Sequence, residues 1–163
     1  CRSAIKRGDY EELFVSNTTF AGVISGPLWT HVDGLRVVNS EVDLASGHIV
    51  RLFGGEGAEV DLTVLPNPFS PAMPVARCIR AGSGVIDGAN HQVTLRAGDG
   101  LNPEKVKQDR RNYPLRVRGG EGHVIRNETG LPIKLNENTK NCRIITNGEV
   151  TDNGRNNRIK RID

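Results

Sequence analysis

Short runs of alternating apolar and polar residues follow one another along most of this chain, and they predict β-strands rather than helices. From Leu13 onward such runs recur, for example at residues 20–24, 48–53 and 93–95. Glycine, asparagine or aspartate separates nearly all of them, and these residue types favour tight turns. Residues 1–12 lack the alternation. We therefore expect an N-terminal tether or cap over residues 1–12 and a single all-β domain over residues 13–163.

Four segments of the chain resemble one another and suggest an internal repeat. They are residues 22–26, 84–88, 123–127 and 149–153, and each is followed by a second short strand. Two strands per unit with a polar turn between them are typical of a β-solenoid. If the copies are equivalent, Val85, Val124 and Val150 occupy matching positions in stacked coils, and we expect each of them to be buried. A β-sandwich is the alternative fold.

Asparagines mark the turns of the most regular copy, at residues 141–159. Asparagine tolerates the left-handed conformation that tight corners require. Here the chain resembles the right-handed parallel β-helix superfamily of pectate lyases, polygalacturonases and phage tailspikes, in which asparagines stack at the turns. The resemblance covers about residues 79–163. It implies a right-handed parallel β-helix, and because its motifs are structural it implies a fold rather than an activity.

Two segments interrupt the repeat and predict inserted loops, at residues 66–76 and 99–114. The prolines of residues 66–74 lack the backbone donor that an interior strand needs. We expect this segment to be a surface arm, with Phe69 and Met73 as assembly contacts. In the second loop, Asn102 as an N-cap and Pro103 at the first helical position describe either a short helix or a solvated loop.

The composition favours an exported domain with a small-chain interior. Hydrophobic residues make up 36% of the chain and aromatic residues 4%, which disfavours a helical bundle. The three cysteines are an odd number, so in an oxidising compartment two can pair. Cys78 and Cys142 have similar strand-like surroundings, and we predict a disulfide between them. We expect an extracytoplasmic location: secreted, on the cell surface or in a virion.

Cys1 is then the remaining cysteine. Its place at the first residue resembles the lipid-bearing position of bacterial lipoproteins, which would give the protein a membrane contact. Three other interpretations stay open: an N-terminal nucleophile, a link to another chain, and a boundary within a longer protein.

Cations alternate with aliphatic residues on several predicted strands, so the cations should point outward. Stacking would align them into a basic ladder, and aligned like charges cost stability unless acids or an anionic partner neutralise them. The net charge of +3 is too small to indicate nucleic acid. The predicted ligand-binding face consists of Arg80, Arg96, Arg116, Arg118, Arg143, Arg158 and Lys160.

Motifs for catalysis are sparse in this chain. Residues 84–88 and 158–160 resemble polygalacturonase segments, but the paired aspartates that glycoside hydrolysis needs are missing from the sequence. The four histidines have no metal-ligand spacing, so we expect no metal and no cofactor. The sequence favours a non-enzymatic structural or adhesive protein, as a homo-oligomer or as part of a surface appendage, secretion assembly or phage particle. The alternative is a carbohydrate-active enzyme or glycan-binding module that acts on an acidic polysaccharide.

Overall fold

The computed structural model describes residues 12–21, 28–30, 32–43, 49–67, 84–106 and 115–163, and the side chains of all of these except residues 28–30, 84 and 85. Within these ranges the chain is all-β, as the alternation predicted, and its one helical element is a short 3-10 turn, Pro103–Lys105. Several predicted features lie outside the described residues: the N-terminal segment with Cys1, the arm with Phe69 and Met73, and Cys78 and Arg80.

The strands form two sheets. Sheet 1 contains β1 (Phe14–Ser16), β2 (Thr19–Phe20), β4 (Arg36–Asp43), β6 (Glu59–Leu65), β8 (Gln92–Ala97), β10 (Val124–Glu128), β12 (Arg143–Thr146) and β14 (Arg158–Arg161). Sheet 2 contains β3 (Leu28–Thr30), β5 (Arg51–Phe53), β7 (Gly84–Ile86), β9 (Leu115–Glu121), β11 (Ile133–Lys140) and β13 (Val150–Asp152).

Every strand pairing in both sheets is parallel. From β3 onward, consecutive strands belong alternately to sheet 2 and sheet 1, so hydrogen-bonded neighbours are two strands apart in the chain. Parallel neighbours cannot be joined by a tight hairpin, because the chain must return to the same end before it pairs again. The second sheet supplies that return path.

The core consists of aliphatic side chains from both sheets. In sheet 1, Val93 pairs with Ile125 and Ile125 pairs with Ile144, and all three are buried. In sheet 2, Ile86 pairs with Val117 and Val117 with Leu135, and these are also buried. Each such side chain contributes roughly 1.5–3 kcal/mol when removed from water. Aliphatic residues of neighbouring strands therefore adjoin within each sheet. We call one strand of sheet 2 together with the next strand of sheet 1 a coil.

The expectation that Val124 is buried is wrong. Val124 is 37% exposed on the outer face of sheet 1, whereas its neighbour Ile125 is fully buried. Successive residues of a strand point to opposite faces, so only one of two adjacent aliphatic residues can enter the core. Val85 and Val150 lie in sheet 2 instead, so the three valines are not equivalent. Val150 is partly buried. Val85 pairs with Arg116, and its side chain is outside the described part.

The two predicted loops begin where strands of the structure end. Strand β6 ends at Leu65, directly before the predicted arm. In the second loop the side chain of Asn102 accepts a hydrogen bond of 3.0 Å from the backbone N–H of Glu104, as expected of an N-cap, and Pro103 begins the 3-10 turn. Across the described ranges, no helix has the length and apolar character needed to cross a bilayer.

The two faces of β10 yield a prediction about stability. Ile125→Asp should prevent folding, because it places an unpaired charge in the aliphatic core. Val124→Asp, at the exposed neighbouring position, should leave the domain folded, with a change within about 0.5 kcal/mol. Thermal unfolding followed by circular dichroism measures both variants. Unfolding of the Val124 variant together with a stable Ile125 variant would contradict the register of sheet 1.

Candidate functional site

The turn that leads into sheet 1 has the same backbone conformation in successive coils. In each of these turns, the residue two positions before the strand has a φ between 53° and 71°. Glycine and asparagine reach this left-handed region at least cost, and two of the asparagines predicted at the turns of residues 141–159, Asn141 and Asn156, take this role. These left-handed residues are Gly34, Gly57, Asn90, Gly122, Asn141 and Asn156.

The residues that follow these turns form a column, which we call the corner column. Its members are buried except for Asn157, which is half-buried, and they pass backbone hydrogen bonds from coil to coil. For example, the carbonyl of His91 accepts from Val124 N–H at 2.9 Å, and the carbonyl of Cys142 accepts from Arg158 N–H at 2.8 Å. The corner column consists of Leu35, Ala58, His91, His123, Cys142 and Asn157.

Two histidines stack in this column. The rings of His91 and His123 are 5.1 Å apart and nearly parallel, at 11°. Nδ1 of His91 accepts from Ala58 N–H, and Nδ1 of His123 accepts from His91 N–H. The Nε2 atoms therefore carry the protons and donate to the carbonyl oxygens of Asp87 at 2.7 Å and Gly119 at 3.1 Å. Both rings are neutral with both nitrogens occupied.

Burial controls the protonation of this pair. The pKa of His123 is lowered from 6.5 to about 4, chiefly by burial and also by the neighbouring His91, against opposing effects of the Gly119 carbonyl and of Asp87. Burial also lowers the pKa of His91, against the Asp87 carbonyl and the charges of Asp87 and Asp33. Within the described ranges, no group of three histidine, cysteine or acidic residues is placed to hold a metal ion.

The contact between His91 and His123 was not predicted from the sequence, because 32 residues separate the two histidines. A signal for it does exist: residues 88–91 and 120–123 both read Gly-x-x-His directly before a strand. The glycine is required, since a Cβ on Gly120, which has a φ of +85°, would lie 1.8 Å from the carbonyl oxygen of Gly88. Insertions between coils conceal such a repeat from a search for fixed periods.

Cys142 is a free, fully buried thiol in this structure. Its Sγ lies 3.2 Å from the carbonyl oxygen of Lys140, and burial raises the pKa of the thiol. Since Cys78 lies outside the described residues, the disulfide between the two stays a prediction.

The structure divides the predicted basic face between the two sheets. Arg96, Arg143, Arg158 and Lys160 are exposed on sheet 1, whereas Arg116 and Arg118 lie on β9 of sheet 2. The described members of the predicted basic face therefore do not form one ladder, and their role in binding stays a prediction.

Three arginines on the outer face of sheet 1 have carboxylate partners. Arg36 pairs with Glu59 at 3.1 Å, Arg96 pairs with Asp61, and Arg126 pairs with Glu128. The last two strands differ: Arg143, Arg158 and Lys160 form no ion pair with any residue that the structure describes. We call these three residues the terminal basic cluster. Arg143 and Arg158 are direct register neighbours, so their like charges adjoin.

A depression of about 530 Å³ lies at this end of the sheet. Asn90 at an earlier turn donates to Glu56 at 2.8 Å, but the amides of Asn141 and Asn156 have no partner among the described residues. The depression is lined by Asn141, Cys142, Arg143, Asn156, Asn157 and Arg158, with no carboxylate. This arrangement can bind anions and hydroxyl groups.

A second depression, of about 350 Å³, lies on sheet 2 beside an irregularity in the register of β11, between Leu135 and Asn138. Arg118 and Lys134 line it together with Glu137, so here a carboxylate is present among the cations.

No protein-family model matches this chain, and no curated protein matches it.

The buried histidines predict a loss of stability in acid. Because the folded-state pKa of His123 lies below 6.5, the unfolded chain binds a proton first as the pH falls. The free energy of unfolding should therefore fall between pH 6.5 and about pH 4, by at most about 3 kcal/mol from this residue. Urea denaturation at about pH 7.5 and about pH 4.5 measures the difference.

The matched variant for this experiment is His123→Asn, since Asn157 occupies the equivalent corner. It should be less stable at neutral pH but should lose less stability in acid than the unchanged protein. An equal loss in both proteins would show that His123 does not cause the acid sensitivity.

Proposed function

We propose that the chain is a right-handed parallel β-helix with inserted loops, and that it acts as a non-enzymatic structural or adhesive protein outside the cytoplasm. The fold proposal is supported by the alternation of strands between two parallel sheets from β3 to β14. The handedness follows the strong preference of parallel strands for right-handed crossover connections. A surface appendage, a secretion assembly or a phage particle would use such a protein.

The observation that carries the functional proposal is the terminal basic cluster on a regular ladder. Stacked coils provide an extended surface on which side chains repeat at the strand spacing of about 4.8 Å. A surface of this kind suits a partner that is itself a repeating polymer. At the end of the sheet the cations form no ion pair with a described residue, which favours an anionic polymer over a neutral one.

The same cluster supports the second candidate function, a glycan-binding module for an acidic polysaccharide, more than it supports an enzyme. Hydrolysis of a glycosidic bond uses two carboxyl groups on opposite sides of the bond. The depression beside the cluster offers arginine and asparagine side chains, which bind carboxylates and hydroxyl groups. We therefore propose that contact with an acidic glycan is adhesive.

We also propose that the protein forms a homo-oligomer or a larger assembly. The arm with Phe69 and Met73 lies outside the described residues, so its part in assembly rests on the sequence.

Adhesion and catalysis predict different fates for the bound polymer. The immobilised protein should retain polygalacturonate and should not retain neutral dextran of similar size. Prolonged incubation should leave the length distribution of the polymer unchanged and should produce no new reducing ends. Size-exclusion chromatography and a reducing-end assay measure these outcomes. Shortening of the polymer in proportion to the protein added would establish the enzyme instead, and a lack of retention of any anionic polymer would remove the adhesive function.

A further inference from the structure

We propose that the terminal basic cluster binds the carboxylate or sulfate groups of an acidic polysaccharide, and that Asn141 and Asn156 bind the hydroxyl groups of the same chain. This inference rests on the proposed adhesive function and assigns it to one end of sheet 1. Arg96 on sheet 1 is not part of this site. Arg116 and Arg118 on sheet 2 are not part of it either.

The first argument is the contrast in charge pairing along one face. Arg36 pairs with a glutamate on the next strand, and Arg96 pairs with an aspartate on the preceding strand. Arg143 has no such neighbour, because its register partners are Val124 on one side and Arg158 on the other. Adjacent like charges are unfavourable in a sheet unless something neutralises them. No described carboxylate forms an ion pair with Arg143 or Arg158, so a ligand anion can supply the counter-charge.

The second argument is geometry. Arg143 and Arg158 lie directly opposite each other on neighbouring strands, about 4.8 Å apart in the hydrogen-bonding direction. Two planar guanidinium groups at this spacing can both donate to one carboxylate or sulfate. Lys160 follows two residues later on the same face and can reach the next anionic group. A polymer with regularly spaced anions can therefore contact all three cations.

The third argument is the surface around the cluster. Val124, which is 37% exposed, adjoins Arg143, and the half-buried Ile145 adjoins Lys160. Aliphatic side chains beside cations suit sugar rings, which present C–H groups between their polar substituents. Single-stranded nucleic acid would instead use aromatic side chains to stack its bases. The exposed aromatic residue of this face, Phe14, lies at the opposite end on β1, beneath the guanidinium group of Arg36.

The test compares two variants of equal charge change. Arg143→Glu with Arg158→Glu removes the centre of the cluster, and Lys105→Glu with Arg36→Glu changes exposed cations elsewhere. Binding of polygalacturonate, which carries carboxylates, and of heparin, which also carries sulfates, is measured by calorimetry at fixed salt. The first variant should bind either polymer at least about tenfold more weakly, the loss expected from about one charge-assisted hydrogen bond. The second variant should stay within about threefold of the unchanged protein.

Val124→Asp gives an independent test that removes no arginine. It places a carboxylate opposite Arg143 and so supplies the counter-charge that this position lacks. Affinity for the polymers should fall while the domain stays folded. Circular dichroism confirms folding for all variants.

Each result has a distinct meaning. If the unchanged protein binds polymer and the Arg143 and Arg158 variant binds equally well, the subsite is wrong and the adhesive function stands. If only the Lys105 and Arg36 variant loses binding, the site lies elsewhere on the protein. If neither polymer binds the unchanged protein, the proposed function and the subsite both fail. If single-stranded DNA binds more tightly than both polymers through the same arginines, the assignment to polysaccharide is wrong.

Discussion

The left-handed turn before each of the strands β4, β6, β8, β10, β12 and β14 is the constraint on which the rest of this structure depends. Parallel strands stay in register only if each coil turns at the same place, and here a glycine or asparagine with positive φ marks that place. The next residue enters the corner column and the one after it faces outward. A slip of one residue would move the core side chains of a strand to the surface. Core, corner and outer face are therefore determined together at each turn.

Most buried polar groups of the described residues lie at or near the ends of strands, where several of them hydrogen-bond with the turns. Asn127 donates to the carbonyl of Leu131 at 2.7 Å and to Oγ1 of Thr146 at 3.1 Å, and it accepts from Oγ1 of Thr129 at 2.6 Å. The stacked histidines have the same role at the other end of the strand. Between these corners the inward positions of β8, β10 and β12 are mainly aliphatic. Hydrogen-bonded corners limit the cost of burying polar groups beside a core with little aromatic surface.

The sequence predicted the strands well, because a period of two appears in the residues themselves. The N-cap at Asn102 and the turn asparagines Asn141 and Asn156 were also predicted, since they depend on local chemistry. The inward residue of β10 could not be predicted from the sequence, because Val124 and Ile125 are both aliphatic and only the register distinguishes them.

The charge pattern also depends on register. Arg96 and Arg143 look alike in the sequence, yet Arg96 pairs with Asp61 on the neighbouring strand and Arg143 lies between Val124 and Arg158. Insertions of variable length separate the coils, so no fixed spacing in the chain reveals which cations adjoin. The terminal basic cluster therefore depends on the pairing of β12 with β14 and not on a spacing in the sequence.

The pairing of β10 tests this account most directly. In the parallel arrangement, nuclear Overhauser spectra should connect the backbone of Ile125 with Val93 on β8 and with Ile144 on β12. A β-sandwich built from hairpins would pair β10 with β11, the next strand in the chain, in the antiparallel sense. Contacts between Ile125 and both Val93 and Ile144 are the result that the account predicts. A ladder of contacts between β10 and β11 would contradict the stacked coils, the register and the terminal basic cluster together.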